Sequence, residues 1–486
     1  MYIIVDPHID NRWLQFTLNF INGHLSPEAH LYMTTQADAE NGTDLCYGVN
    51  PKSKKSLFIP RYDTAPIEGM VFRQLDTCCG LQENILIHRG MEGHGPRSRN
   101  NHYIDFFYNI FAYISCLEEW QHELTHGPAH SYALRLNGDK RRFDRPWADL
   151  LVQALCSFLY GKKAKQLIRK TPPTIFLTHD VDALSKTGMS VFKDTIFRTV
   201  NALRAIARHE LQRSSYWWRK ATSTLFSQCD YNQLKTIAEL EKRHNFKSTF
   251  LAYGFVPTAT LGERAKQMLF DPGYNLQLMQ KAIKVLRQLD LEGFEIGCHL
   301  GFDAWKDIQT MSSQKHALEA TLNRGPLHVS RQHWLKFSLH DTWRSLEALN
   351  VSVDATLGFN DRPGFRAGTA RPFLPWDHAR SAPHKIMAIP TVLMDSHLFH
   401  YADMPPDERD DTVKKLFKEI ALVSGASAII WHPHTLANDY GWRPQFERIL
   451  IMMEEEGFHS MTMSEGLTNR ISDDGDLAIR PLIKGI

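Results

Sequence analysis

No Cys-x-x-Cys pair occurs in this chain of 486 residues, and its seven cysteines, Cys46, Cys78, Cys79, Cys116, Cys156, Cys229 and Cys298, are odd in number. A disulfide or zinc-finger framework is thereby disfavoured and a reducing compartment expected. No stretch of about 18 apolar residues is present, which argues against a transmembrane helix. The opening run Met1-Tyr2-Ile3-Ile4-Val5-Asp6 is too short for a signal-peptide core and follows no basic region, so the expectation is a cytoplasmic protein. Neither sign of charge dominates. With 56 basic against 54 acidic residues and a formal charge of +2, a nucleic-acid partner is not expected. Repeats and low-complexity segments are lacking too, while an apolar content of 43% is ample for globular folding.

What the chain does have is a series of apolar runs that end in residues able to bind a metal. The first, Thr174-Ile175-Phe176-Leu177-Thr178-His179-Asp180-Val181-Asp182, drives a strand into two carboxylates. Residues i and i+2 of a strand share a side, so Asp180 and Asp182 emerge together and call for a cation between them. An Asx-rich turn that merely ends a strand has the same composition. Later runs repeat the pattern: Phe294 to Cys298 leads into His299 and Asp303, Val329-Ser330 into Arg331 and His333, and Ala428 to Trp431 into His432 and His434. Any one of these histidines is more simply a surface or core residue in a chain that holds 24. Their shared place at strand ends points to one rim of a parallel α/β barrel.

On these motifs, from about Thr174 to about Thr468, the chain resembles the polysaccharide deacetylases with a NodB-homology domain, carbohydrate esterase family four. Thr178 to Asp182 resembles the family's first motif in its D-x-D form, and Phe246-Lys247-Ser248-Thr249-Phe250 resembles the strand that follows it. His299-Leu300-Gly301-Phe302-Asp303 is similar to the second motif, Arg331-Gln332-His333-Trp334 to the third and Ile430-Trp431-His432 to the fifth. The stretches RQHWLKF, DATLGFNDRPGFRAGTARPF and AIPTVLMDSHL resemble a divergent bacterial subgroup with an extra N-terminal domain. Leu300 replaces the usual hydroxyl, Asp303 stands where a second His is commonest, and the third motif lacks its proline. The third metal ligand is therefore open between Asp303 and His333. The first requires a helical turn after His299, the second a reach from a neighbouring strand.

The resemblance implies a metal-dependent hydrolase that removes an acetyl group, N- or O-linked, from a carbohydrate such as a surface-polysaccharide precursor. A divalent metal is implied, zinc first, with cobalt or nickel as alternatives. Asp182 would be a ligand with His299, Asp180 the general base, His432 the general acid, and Arg331 and Asp354 orienting partners. Trp334 and Arg366 are expected to touch substrate, the latter with Arg362 and Arg371 in a Gly- and Arg-rich segment at 358–371 that interrupts the alternation and is expected over the rim. The same arginines also suit a solvated loop. Two rival readings stay open: a non-catalytic carbohydrate-binding barrel with a structural metal, and a metal-dependent amidase on a small non-sugar amide.

Length makes two domains the default. Short strands near 3–5, 31–33, 56–59 and 83–87, a helix at 105–121 and another at 146–160 are expected in an α+β N-terminal domain at 1–165. A barrel at 172–470 follows, with strands near Thr174, Ser248, Glu295, Val329, Val353, Ile386, Ala428 and Ser460 separated by helical stretches. This alternation argues for parallel α/β, and the resemblance sharpens it to a distorted (β/α) barrel of the NodB-homology type. An inserted basic helical segment, about 188–225, places apolar residues at helical period from Val191 to Leu211, followed by Trp217 and Trp218. Over 191–218 this reads as a peripheral membrane anchor, a lid presenting aromatic faces to sugar rings, or a packed surface helix.

Overall fold

The computed structural model describes residues 1–6, 10–34, 45–48, 57–59, 61, 70–75, 83–88, 104–128, 143–207, 209–226, 229–401 and 404–474. In the N-terminal part, β1 (Tyr2–Ile4), β2 (Tyr32–Thr34), β3 (Leu45–Tyr47) and β4 (Leu57–Ile59) form a parallel sheet in the order β2-β1-β3-β4, and β5 (Met70–Leu75) pairs antiparallel with β6 (Glu83–His88). Strand β3 has three residues, too few for an alternating pattern to register, and neither it nor β5 was among the expected strands.

The single helix expected at 105–121 is two. Phe106–Ile114 is buried on every side, and Cys116 then turns the chain through a left-handed conformation (φ 50°) into Leu117–His126. The turn directs Glu119 and Glu123 at the C-terminal part of the chain. Glu119 pairs with Arg366, and Glu123 accepts from the backbone N–H of Leu339 at 2.9 Å. Nearby, buried Asp149 accepts from the Ala370 N–H at 2.7 Å and lies 2.7 Å from His24 Nε2. Apolar side chains of both parts form one continuous core.

The C-terminal part alternates strands and helices. Its strands are β7 (Thr174–Val181), β8 (Ser248–Tyr253), β9 (Glu295–Leu300), β10 (Val329–Gln332), β11 (Val353–Asp354), a short antiparallel pair β12 (Trp376–Asp377) and β13 (Ala382–Pro383), then β14 (Met387–Ala388), β15 (Thr391–Met394), β16 (Ala426–Ile430) and β17 (His459–Ser460). The main sheet runs β14-β11-β10-β9-β8-β7-β16-β15, with β17 added beside β7, and its neighbours are parallel. Strands β14 and β15 stand at opposite ends of this path, yet only Ile389 and Pro390 separate them, about 10 Å of extended chain. The sheet must therefore curl until its ends come close. Ile389 donates to the Asp354 carbonyl on one side and Pro390 accepts from the Ala428 N–H on the other, so one irregular segment bridges the two ends of a curled sheet that fits a (β/α) barrel. Proline suits the switch because it has no N–H to leave unpaired.

From Gly364 to Ala370 the segment at 358–371 does not lie over the rim. Gly364 to Ala370 are buried against the N-terminal part, where the Phe365 N–H donates to the Phe143 carbonyl at 2.8 Å. The inserted segment is a helical hairpin, Gly188–Ala207 and Leu211–Phe226, rather than one helix, and Trp217 and Trp218 belong to its second arm. Among the described residues no helix is long and apolar enough to cross a membrane.

Candidate metal centre

In a parallel barrel all strands deliver their C-terminal residues to the same rim. Register sets the first neighbours. Tyr253 of β8, His299 of β9 and Arg331 of β10 lie side by side, and Asp180 sits near the end of β7. Arg331 is fully buried, and its guanidinium donates to Asp180 Oδ1 at 2.7 Å and to the Ala355 carbonyl at 2.9 Å. Burial pushes Asp180 up, but Arg331, with His299 and His432 behind it, more than offsets this and holds the carboxyl below its ordinary range.

Asp182, one step past β7, is the centre of the cluster. His299 Nε2 lies 3.2 Å from its Oδ1, and from its Oδ2 His333 Nε2 lies 3.5 Å and His432 Nε2 3.3 Å. Among the described residues, Asp182, His299 and His333 bring one ligand atom each within 4.8 Å of one another. Ligands about 2.0–2.2 Å from a tetrahedral metal lie roughly 3.4 Å apart, which matches these separations. The polar atoms make the same point. Asp182 Oδ1 and both ring nitrogens of His299 are buried without a hydrogen-bond partner, a costly state unless another group is bound between them. A carboxylate and two imidazoles form a donor set suited to zinc and similar divalent ions.

His432 follows β16. Its Nδ1 lies 2.8 Å from Asp395 Oδ1, and its backbone N–H donates to Asp395 Oδ2 at 2.8 Å. Burial would lower this imidazole, but Asp395 and then Asp182 overcome it and raise the histidine well above its ordinary value. Asp395 was not among the residues singled out from sequence. The signal was there, since it directly follows the apolar strand Thr391–Met394, as the other rim residues follow theirs. Neighbouring His434 is driven down to about 4 by burial and stays neutral.

The remaining residues fall elsewhere. Asp303 is outside the cluster, paired with Lys266, Lys306 and Lys336. The helical turn that would have aimed it at the metal does not form at His299, because β9 runs on to Leu300 and the next helix begins only at Ala304. Geometry thus favours His333 over Asp303. Asp354 is buried beneath the rim, accepting from Thr356 Oγ1 at 2.7 Å and from the Trp343 indole at 3.2 Å. Burial raises its carboxyl. Arg366 is engaged by Glu119 and the Gly358 carbonyl, so its guanidinium acts within the packing of the two parts and not at the rim. Trp334 is 47% exposed beside His333, with its ring 6.0 Å from Phe302. It and Leu335 both hold left-handed backbone (φ 61° and 49°), strain of about 1–3 kcal/mol each that turns the chain just after His333.

No protein-family model matches the chain, and a search of curated proteins finds no match. Among solved structures, it is similar to a protein from Mycobacterium smegmatis named as a polysaccharide deacetylase, at 14% identity over 63% of this chain and 95% of that one, TM-score 0.38. PuuE allantoinase is 12% identical over 63% of this chain and 94% of its own, TM-score 0.36. Peptidoglycan deacetylase PdaC from Bacillus subtilis is 11% identical over 65% and 100%, TM-score 0.28. At TM-scores this low the reading of the site rests on its own geometry.

Proposed function

We propose that the chain is a metal-dependent hydrolase that removes an acetyl or related acyl group from a carbohydrate. The observation that carries the reading is the grouping of Asp182, His299 and His333 between a carboxylate held by Arg331 and an imidazole held by Asp395. A metal held by those three side chains would polarise an acyl carbonyl and acidify a water. Asp180 is the base for that water's proton: Arg331 occupies one of its oxygens and keeps it ionised. His432 is the acid on the other side. Asp395 fixes its Nδ1 and favours the protonated ring, leaving Nε2 to deliver a proton to the departing amine or alcohol. Trp334, half exposed beside His333, offers an aromatic face of the kind sugar rings pack against. The motif order resembling the polysaccharide deacetylases supports a carbohydrate substrate over the two rival readings.

The test is elemental analysis of the purified protein for zinc, cobalt and nickel, together with turnover of a chromogenic acetyl ester. Metal with turnover supports the enzyme, and metal without turnover supports a binding barrel. A panel of N-acetylated sugars and cyclic amides then separates carbohydrate from small-amide hydrolysis.

A further inference from the structure

The hairpin Gly188–Ala207 and Leu211–Phe226 is amphipathic the wrong way round for a surface helix. A soluble helix turns its large apolar residues to the core. Here the first arm buries Ala202, Ala205 and Arg198, and the second buries Ser214, Trp217 and Ala221. Several large aliphatic and aromatic residues point out instead. Phe192, Ile196, Val200, Leu203 and Ile206 are between 39% and 57% exposed, and at 100° per residue they fall within an arc of about 120°. In the second arm Leu211, Trp218 and Phe226 are 72%, 42% and 84% exposed. Singly exposed apolar residues need no explanation, but a continuous stripe along a twenty-residue helix does.

Charge identifies what covers it. Residues 188–226 carry seven lysines and arginines against Asp194 and Glu210, a surplus of five in a chain whose total is +2, so the remainder of the protein is net acidic. Arg204 and Arg219 are exposed at the flanks of the apolar faces. An isologous contact between two copies of this chain would set that cationic surface against itself. An apolar stripe edged with arginine and carrying an exposed tryptophan is the pattern of a helix that lies in the headgroup region of an anionic bilayer.

We infer that the hairpin is an interfacial docking element for an anionic lipid surface. It is built to hold its position, since Arg198 donates to the Lys220 carbonyl at 2.9 Å and Lys220 donates to the carbonyls of Asp439 and Tyr440. Those carbonyls lie in the loop that follows His432, so docking would bring the rim of the barrel to the membrane surface. The inference stands whether or not the rim is hydrolytic.

The experiment is co-sedimentation of the full chain with vesicles of phosphatidylcholine and of phosphatidylcholine mixed with phosphatidylglycerol. Binding to the mixed vesicles that weakens with salt is expected. Ile196→Glu with Leu203→Glu should weaken it roughly tenfold or more, and Arg204→Ser with Arg219→Ser should remove the preference for the anionic lipid. Both double variants should unfold at the wild-type temperature, because the altered side chains are exposed. Absence of vesicle binding in the wild type, or wild-type binding by both variants, overturns the inference. So does a wild-type dimer in solution that the glutamate variant splits, since the stripe's occupant would then be a second copy.

Discussion

One carboxylate, Asp395, holds His432 twice: Oδ1 lies 2.8 Å from the ring Nδ1, and Oδ2 accepts the backbone N–H of the same residue at 2.8 Å. Ring orientation and tautomer are thereby fixed together. Asp395→Asn keeps the size but exchanges one of the two accepting oxygens for a donor and loses the charge. We expect metal content to be unchanged and amide hydrolysis to fall by about 10²-fold or more, with a smaller loss on an activated ester whose leaving group needs no proton. Equal losses on both substrates would assign Asp395 to structure alone.

The lysines around Asp303 and the pairing of His333 with Asp182 divide the two residues between which the third ligand was open. His333→Ala should lower metal affinity by at least about tenfold, and Asp182→Ala and His299→Ala should do the same. Asp303→Ala should bind metal as the wild type does, measured by competition with a chromogenic chelator. Metal loss in Asp303→Ala with retention in His333→Ala would reverse the assignment.

Much of this rim was legible because strand-end chemistry is local. Asp180, Asp182, His299, Arg331, His333 and His432 each follow an apolar run within a few residues, and a parallel barrel brings such positions together whatever their separation in the chain. Choosing between Asp303 and His333 was not local, since it depended on whether a helical turn began at His299. Asp395 follows a strand of four residues, adjacent to the irregular segment that bridges the sheet ends, where alternation is lost. Arg366 shows the opposite failure. Its Gly- and Arg-rich surroundings look like a surface loop, and only the turn at Cys116 that aims Glu119 at it explains its burial. The inserted helix was legible by period, but period does not say which face is buried.

The buried pair of Arg331 and Asp180 joins chemistry to stability. Asp180→Asn should retain the metal while hydrolysis falls roughly 10²–10⁴-fold, the usual worth of a positioned base, and it should also lower stability, since Arg331 stays buried with a hydrogen bond but without its anion. Arg331→Met instead leaves Asp180 buried without its cation, and unfolding in urea should show a loss of about 3–5 kcal/mol. If Asp180→Asn loses its metal, Asp180 is a ligand and the base lies elsewhere.

A histidine remote from the rim gives the chain a pH-dependent stability. His378 stacks on Trp120 at 4.4 Å, and its Nε2 lies 2.8 Å from the Ser115 carbonyl. Burial, only partly countered by that hydrogen bond, pushes the ring down to about 4. In the unfolded chain the same ring takes a proton near its ordinary value of about 6.5. The unfolded state therefore binds more protons between the two values. The contribution of His378 is fully present above about pH 6.5, falls as pH drops through the window, and is spent below about pH 4. His378→Gln keeps an N–H for Ser115 and removes the titration. Urea unfolding of both proteins at about pH 7 and about pH 5 should show the wild type losing about 2 kcal/mol more than the variant. Other buried neutral histidines, His397 at about 4 and His400 at about 3, steepen both curves alike and cancel in the difference. Parallel curves would mean that His378 titrates in the folded protein as it does in the unfolded chain.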